Sequence, residues 1–203
     1  HDRSTGQNTR VSVDSAGNPS SGSKPSINAN GRFVAFESSL ANLVPGDNNS
    51  ASDIFVHDRD VSGSGVFDTP GNIQTTRVSV DNNGVQGNAD SMAPAISADG
   101  RYVAFDSRAT NLVAGDTNNR EDTFVHDRQT GQTTRVSVDS AGNQGNSVSY
   151  WPVSISADGR YVAFGSDASN LVAGDTNNVW DIFVRDRQAG QTIRASVSSS
   201  GTE

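Results

Sequence analysis

One sentence of sequence is written three times in this chain. It is clearest at residues 94–139, PAISADGRYVAFDSRATNLVAGDTNNREDTFVHDRQTGQTTRVSVD. It stands upstream from Pro25 as PSINANGRFVAFESSLANLVPGDNNSASDIFVHDR and downstream from Val153 as VSISADGRYVAFGSDASNLVAGDTNNVWDIFVRDR. Self-similarity of this kind marks a repeat architecture, in which each unit buries its apolar face only against its neighbours. That constraint outranks any single motif.

Each unit offers four strand candidates: P-x-I-S, then R-(F/Y)-V-A-F, then D-(I/T)-F-V-(H/R)-D-R, then T-R-V-S-V. The first two are joined by Asn30-Gly31, Asp99-Gly100 or Asp158-Gly159, dipeptides that signal tight hairpins because both residues tolerate positive φ. Val103-Ala104-Phe105 and Ile54-Phe55-Val56 are continuous apolar runs, as expected of strands covered on both faces. Val11-Ser12-Val13 alternates with period two, which predicts an outer, half-exposed strand. No segment has the 3.6-residue apolar period of a helix. The hydrophobic fraction is low at 33%, but the apolar residues fall in regular clusters between Gly-, Asn- and Ser-rich turns, which excludes disorder.

Taken in order, the chain opens with the end of a unit. His1-Asp2-Arg3 matches the HDR at 57–59 and 126–128, and NTRVSVD at 8–14 matches TTRVSVD at 75–81 and 133–139. The expected division is a last strand plus connector at 1–24 and units at 25–93, 94–151 and 152–203. The first unit carries a longer hairpin at 60–73, DVSGSGVFDTPGNI, where the next has QTG. Three units plus a surplus strand cannot close a ring of four to eight. The expectation is therefore part of a longer array, or a chain completed by another copy across its open ends.

A net charge of −8 repels phosphate backbones, so nucleic acid is excluded as a partner. No apolar run reaches the roughly 18 residues of a membrane span, so no membrane insertion is expected. Cysteine is absent, which removes disulfides and thiolate metal sites. Lys24 stands alone against fourteen arginines, eleven of them at repeat-fixed positions. Arginine's planar fork suits structural ties to carboxylates and carbonyls.

The sharpest polar constellation is G-D-x-N-x-x-x-D, present as Asp47, Asn49, Asp53; Asp116, Asn118, Asp122; and Asp175, Asn177, Asp181. Two readings share it. Oxygens at this spacing in a loop can wrap a hard cation, and two carboxylates without a bidentate glutamate predict weak calcium binding, about 10⁻⁴–10⁻³ M. Alternatively, the first aspartate makes an Asx-turn and the last ties down the loop entering the third strand. His57 and His126 share a slot with Arg185, which a general base or ligand at every unit would not tolerate. No G-x-S-x-G elbow occurs. Asp58/Asp60 and Glu121/Asp122 read as solvated turn residues, and Trp180 as a surface residue; Tyr150, Trp151 and Trp180 are the candidates for a sugar-binding face.

SADGRYVAF followed by DIFV-x-DR and a threonine-rich strand resembles the TolB-like (PD40) β-propeller repeats, whose blades carry S-x-D-G-(K/R)-x-(I/V)-A-F and then N-D-I-(Y/F)-V. The similarity covers nearly the whole chain. It departs at the longer NLV-(A/P)-GD-(T/N)-N loop between the second and third strands. The resemblance implies an all-β propeller-type array of four-stranded antiparallel blades. The expected function is a non-enzymatic structural or interaction module, secreted or in the cell envelope, presenting loops to a protein or glycan partner. An enzyme with a hydrolase or lyase site in the central channel is the first alternative; a subunit that self-associates into a ring or filament is the second.

Overall fold

A computed structural model describes residues 1–3 and 5–201, with Trp151 described by its backbone alone. Among the described residues the chain folds into three four-stranded antiparallel sheets, one per repeat. The first blade holds β1 (Ser23–Ile27), β2 (Phe33–Ser38), β3 (Asp53–Asp58) and β4 (Gln74–Arg77). The second holds β5 (Ser91–Ile96), β6 (Tyr102–Ser107), β7 (Asp122–Asp127) and β8 (Gln132–Arg135). The third holds β9 (Ser149–Ile155), β10 (Tyr161–Ser166), β11 (Asp181–Asp186) and β12 (Gln191–Arg194). Strand order within each sheet follows the sequence, and the first strands β1, β5 and β9 neighbour one another between sheets. Among the described residues no helix is long and apolar enough to cross a membrane.

The middle strands of the first two blades are buried on both faces, as their apolar runs require, and those of the third only in part. Phe105 and Phe124 stack within the second blade at 6.0 Å, and Phe36–Phe55 and Phe164–Phe183 repeat the pair at 6.0 and 5.9 Å. Leu43, Leu112 and Leu171, from the NLV of each long loop, pack on the three pairs. Burying one such leucine contributes roughly 1.5–3 kcal/mol, so each long loop is anchored where it begins.

Between blades a second core forms. Ala35, Ile54, Val56 and Val78 of the first blade and its connector meet Ile96, Val103 and Phe105 of the second; Ala104, Val125 and Val136 meet Val162 of the third. This interface corrects one expectation from the sequence. Val11-Ser12-Val13, expected as a half-exposed strand, forms no strand: Val11 and Ser12 are half-buried and Val13 is buried. In the matching segments at 78–80 and 136–138, which follow the ends of β4 and β8 at Arg77 and Arg135, all three residues are buried in the crossing to the next blade. Serine alternates with valine there because Ser79 and Ser137 donate to buried aspartates. Ahead of β1 the same connector geometry occurs again, with Val13 bridged to Pro19 as Val80 is to Gln86 and Val138 to Gln144.

The Asp-Gly hairpins also differ in detail from the two-residue turn expected. The Gly100 N–H donates to Ser97 O and the Ser97 N–H to Tyr102 O, a four-residue loop in which glycine alone takes positive φ, +78°. Asp99 instead uses its carboxylate to accept from the Arg101 N–H at 2.9 Å and the Ser97 hydroxyl at 2.6 Å. Gly100 is required for space as well, since a Cβ there would enter the Phe33 ring of the first blade; Gly159 stands in the same relation to Tyr102 of the second.

Those rings are clasped by arginines. Phe33 lies between Arg32 of its own blade at 4.7 Å and Arg128 of the next at 4.3 Å; Tyr102 lies between Arg101 at 4.7 Å and Arg187 at 4.5 Å. Arg32, Arg101 and Arg160 each grip the aspartate ending the third strand (Asp58, Asp127, Asp186) through two parallel hydrogen bonds. Arg59, Arg128 and Arg187 donate to the carbonyl of their own turn glycine. The repeat-fixed arginines of these two sets are structural ties, as the sequence pattern implied.

Candidate functional site

The three G-D-x-N-x-x-x-D loops were the strongest candidates, and the structure brings each set together. The second blade shows the arrangement most fully. Gly115 at φ +77° turns the loop, and Asn119 at φ +53° turns it again, a residue type that tolerates the left-handed region. Asp122 then opens β7, opposite Ser107 of β6. Its carboxylate is fully buried and accepts from the Ser137 hydroxyl at 2.5 Å and the Asn118 amide at 3.2 Å.

Between the two aspartates sits a guanidinium. Arg135 Nη1 lies 3.2 Å from Asp116 Oδ1 and 3.2 Å from Asp122 Oδ2. In the first blade Arg77 stands 3.3 Å from Asp47 and 3.4 Å from Asp53; in the third Arg194 stands 3.1 Å from Asp175 and 3.5 Å from Asp181. Burial, and then the charge of the second aspartate, push the Asp47 and Asp116 carboxyls above the ordinary range, while the arginine pulls them back. Burial also raises Asp122, against the Ser137 hydrogen bond and Arg135. Removing one partner from a buried charge cluster costs about 3–5 kcal/mol, so the arginine holds the loop in place.

The asparagines point their donors inward. Asn118 Nδ2 donates to Asp122 and to Gly145 O, while its Oδ1 accepts from the Arg120 N–H. Asn49 does the same with Asp53, Gly87 O and the Ala51 N–H. Turning either amide over would set its oxygen against two acceptors, so the orientation is fixed by its partners. Asn177 repeats the bonds to Asp181 and to the Val179 N–H. Gly87 and Gly145 belong to the connectors, so the first two loops latch the segments leading into the next blade.

Sequence reasoning took Arg77, Arg135 and Arg194 for structural ties, which they are, but did not place them or the serines two positions on in this site. Their signal was present, since an arginine with a serine two residues on follows every loop, 13 residues after its last aspartate in the second and third blades and 24 in the first, where the long hairpin intervenes. A second missed set ties the blades on the opposite side. Thr75, Thr133 and Thr192 donate their hydroxyls to the carbonyls of Val13, Val80 and Val138. With that hydrogen committed, the threonine oxygen accepts from Nδ1–H of His57 and His126, each at 2.9 Å, and from Arg185 Nη1 at 3.0 Å. The histidines are neutral, buried tethers, and burial lowers the pKa of both, to about 4 for His126.

Of the paired acids expected in solvated turns, Asp58, Asp60 and Asp122 are buried instead, and Glu121 is half-buried and paired with Arg108 at 3.0 Å. Asp58 is bound to Arg32, and Asp60 is enclosed by its own hairpin, accepting from Ser62, Ser64, Gly65 and Asn72. Asp122 is in the loop cluster. Trp180 is 37% exposed, and its ring lies 6.4 Å from that of Tyr150. The indole fits because position 165 is glycine, where a Cβ would strike the ring; the other blades have Glu37 and Asp106 there. The side chain of Trp151, the third aromatic of the sugar-face candidate, lies outside the described residues.

The sequence matches no protein-family model and no curated protein. Solved structures do match. TolB from Acinetobacter baumannii superposes with a TM-score of 0.50 at 18% identity, over 84% of this chain and 31% of that one. The putative TolB from Agrobacterium tumefaciens gives 0.50 at 15% identity, over 86% and 49%. The β-propeller domain of the trilobed protease from Pyrococcus furiosus gives 0.47 at 14% identity, over 85% and 41%. The chain thus spans less than half the length of each. With three sheets of four antiparallel strands and the two TolB likenesses, the chain has a TolB-like β-propeller fold.

Proposed function

We propose that this chain is a non-enzymatic interaction module of the cell envelope, and that it meets a protein partner through the loop end of its third blade. The observation that carries this is the contrast between the repeated and the unrepeated groups. The polar groups repeated in every blade bond to one another: carboxylate to guanidinium, amide to carboxylate, hydroxyl to carboxylate. An exposed aromatic pair with no counterpart in the other blades stands at the loop end of the third, where Tyr150 and Trp180 lie 6.4 Å apart and Val179 is exposed next to Trp180 in the chain. A clustered apolar patch rimmed by polar loops suits protein docking. The TolB likeness supports the envelope placement through its fold.

For the loops we favour the salt-bridged reading over calcium. A guanidinium already lies between the carboxylates, and the asparagine oxygens serve backbone N–H groups. A weak calcium site of about 10⁻⁴–10⁻³ M would add roughly 1.4–2.7 kcal/mol to stability at ~10 mM calcium. The expected result is an unchanged melting temperature relative to sodium at equal ionic strength; a rise specific to calcium overturns this reading. The docking proposal is tested by placing a photo-crosslinking residue at Trp180 and, separately, at exposed Asn83, in cells that make the protein. A discrete adduct in the envelope fraction from position 180 alone is expected. Equal labelling at both positions, or none, refutes it.

A further inference from the structure

The first and third blades treat the same contact differently. At both internal interfaces an aromatic ring of one blade receives the turn glycine and the arginine of the next. Phe33 receives Gly100 and Arg128; Tyr102 receives Gly159 and Arg187. The turns are also joined by backbone, Ala29 N–H to Ala98 O at 3.1 Å and Ala98 N–H to Ala157 O at 3.0 Å. A carboxylate of the earlier blade lends its charge to the incoming arginine, Asp58 to Arg128 and Asp127 to Arg187.

At the third blade this receiving half is open. Tyr161 carries Arg160 on one face at 4.8 Å, is 41% exposed, and has Asp186 beside it, gripped by the same Arg160. At the first blade the donating half is closed from within. Arg59 stacks on Phe67 at 4.8 Å, and Asp68 accepts from its Nη2 at 2.5 Å and its Nε at 3.0 Å. Phe67 also lies over Gly31, 3.8 Å from where a Cβ would stand. Phe67 and Asp68 belong to the long hairpin at 60–73. They supply the ring and the carboxylate that a preceding blade supplies elsewhere. Below them lies a hollow that His1, Asp2, Arg3, Thr9 and Val11 also line; in it Ile27 is 60% exposed, whereas its counterpart Ile96 is buried at the first interface.

We infer that Phe67 and Asp68 block head-to-tail joining of two copies of this chain, so that Tyr161 is reserved for a blade that brings an Asp-Gly turn and an arginine with no ring of its own. The apolar face over Ile27 alone would attract the β9–β12 end of a second copy. The filled arginine site denies that copy's Tyr161 a place between Gly31 and Arg59. The short hairpin at 129–131, QTG, carries no such ring or acid.

The test uses association in solution. The unaltered protein should sediment as a monomer across a wide concentration range. A variant whose 60–73 segment is replaced by Gln-Thr-Gly frees Arg59 and should associate as concentration rises, and Tyr161→Ala in that background should return it to monomer. Mixing is more decisive. The unaltered chain offers Tyr161 only, and the shortened chain with Tyr161→Ala offers Arg59 only, so the two should form a complex that stops at one of each. Near-ultraviolet circular dichroism verifies the fold of each variant; if the shortened chain does not fold, Phe67→Ser/Asp68→Ser replaces it. A folded, uncapped variant that stays monomeric and ignores the unaltered chain overturns the proposal. Self-association of the unaltered chain that Tyr161→Ala abolishes overturns it equally.

Discussion

His57 and His126 hold the seam between a blade and the connector lying on it, and both do so uncharged. Burial depresses the pKa of His126 to about 4, below its ordinary 6.5. The unfolded chain therefore takes up the proton first as pH falls. The stabilisation is whole above about pH 6.5 and declines as pH drops toward about 4, by about 3 kcal/mol for this one residue. His57 acts in the same direction. The acid arms of the aspartate–arginine grips lie lower, since the Arg101 and Arg160 hydrogen bonds hold Asp127 and Asp186 well below the usual carboxylate range. The third blade already shows the remedy: Arg185 fills the slot and donates to Thr192 and to Asp139 O. His126→Arg should flatten the fall in melting temperature between pH 6.5 and 4 while leaving the value at pH 8 nearly unchanged. An unaltered acid profile in the variant would refute this account. The sequence placed these histidines and arginines in one slot and so excluded a ligand role. It gave no sign of the threonine that orients them, because a hydroxyl partner leaves no charge pattern.

Elements were legible wherever one residue type had one use. Val103-Ala104-Phe105 could only be a strand covered on both faces, and the D-G and N-G pairs marked every first hairpin. Elements whose residues answer to a partner distant in the chain were misread. The serine of Val11-Ser12-Val13 made that segment look like a half-exposed strand, although in the matching segments Ser79 and Ser137 find a buried aspartate on the third strand of the same sheet. The D-G turn shows the same dependence: Gly100 serves both its φ of +78° and the close approach of Phe33. Gly115 has the same backbone conformation, but a Cβ there meets open space. Gly115→Ala should therefore cost about 1 kcal/mol from backbone strain alone. Gly100→Ala should cost about 2–4 kcal/mol, because the methyl must also displace a ring held between two arginines. Urea denaturation of the two variants compares them directly. Equal losses would mean that the Phe33 contact does not confine the turn.

At the scale of the molecule, repetition made the fold readable and function hard to read. Three copies of a motif announce a scaffold, and the scaffold accounts for nearly every conserved-looking polar group within the chain. What differs between copies is informative instead: Gly165 under Trp180, and the hairpin at 60–73. The connectors carry one more consequence. Each is tied to the blade behind it through Asn49–Gly87 O or Asn118–Gly145 O, and to the blade ahead through Thr133–Val80 O or Thr192–Val138 O. The peptide bond at the exposed turn of a connector is thus redundant with bonds on both sides of it. A protease site cut after Gly84 should leave two pieces that travel together under native conditions and part only in denaturant. The blades are held as stones are in a dry wall, and the chain's path through them records the order of laying rather than what keeps them up.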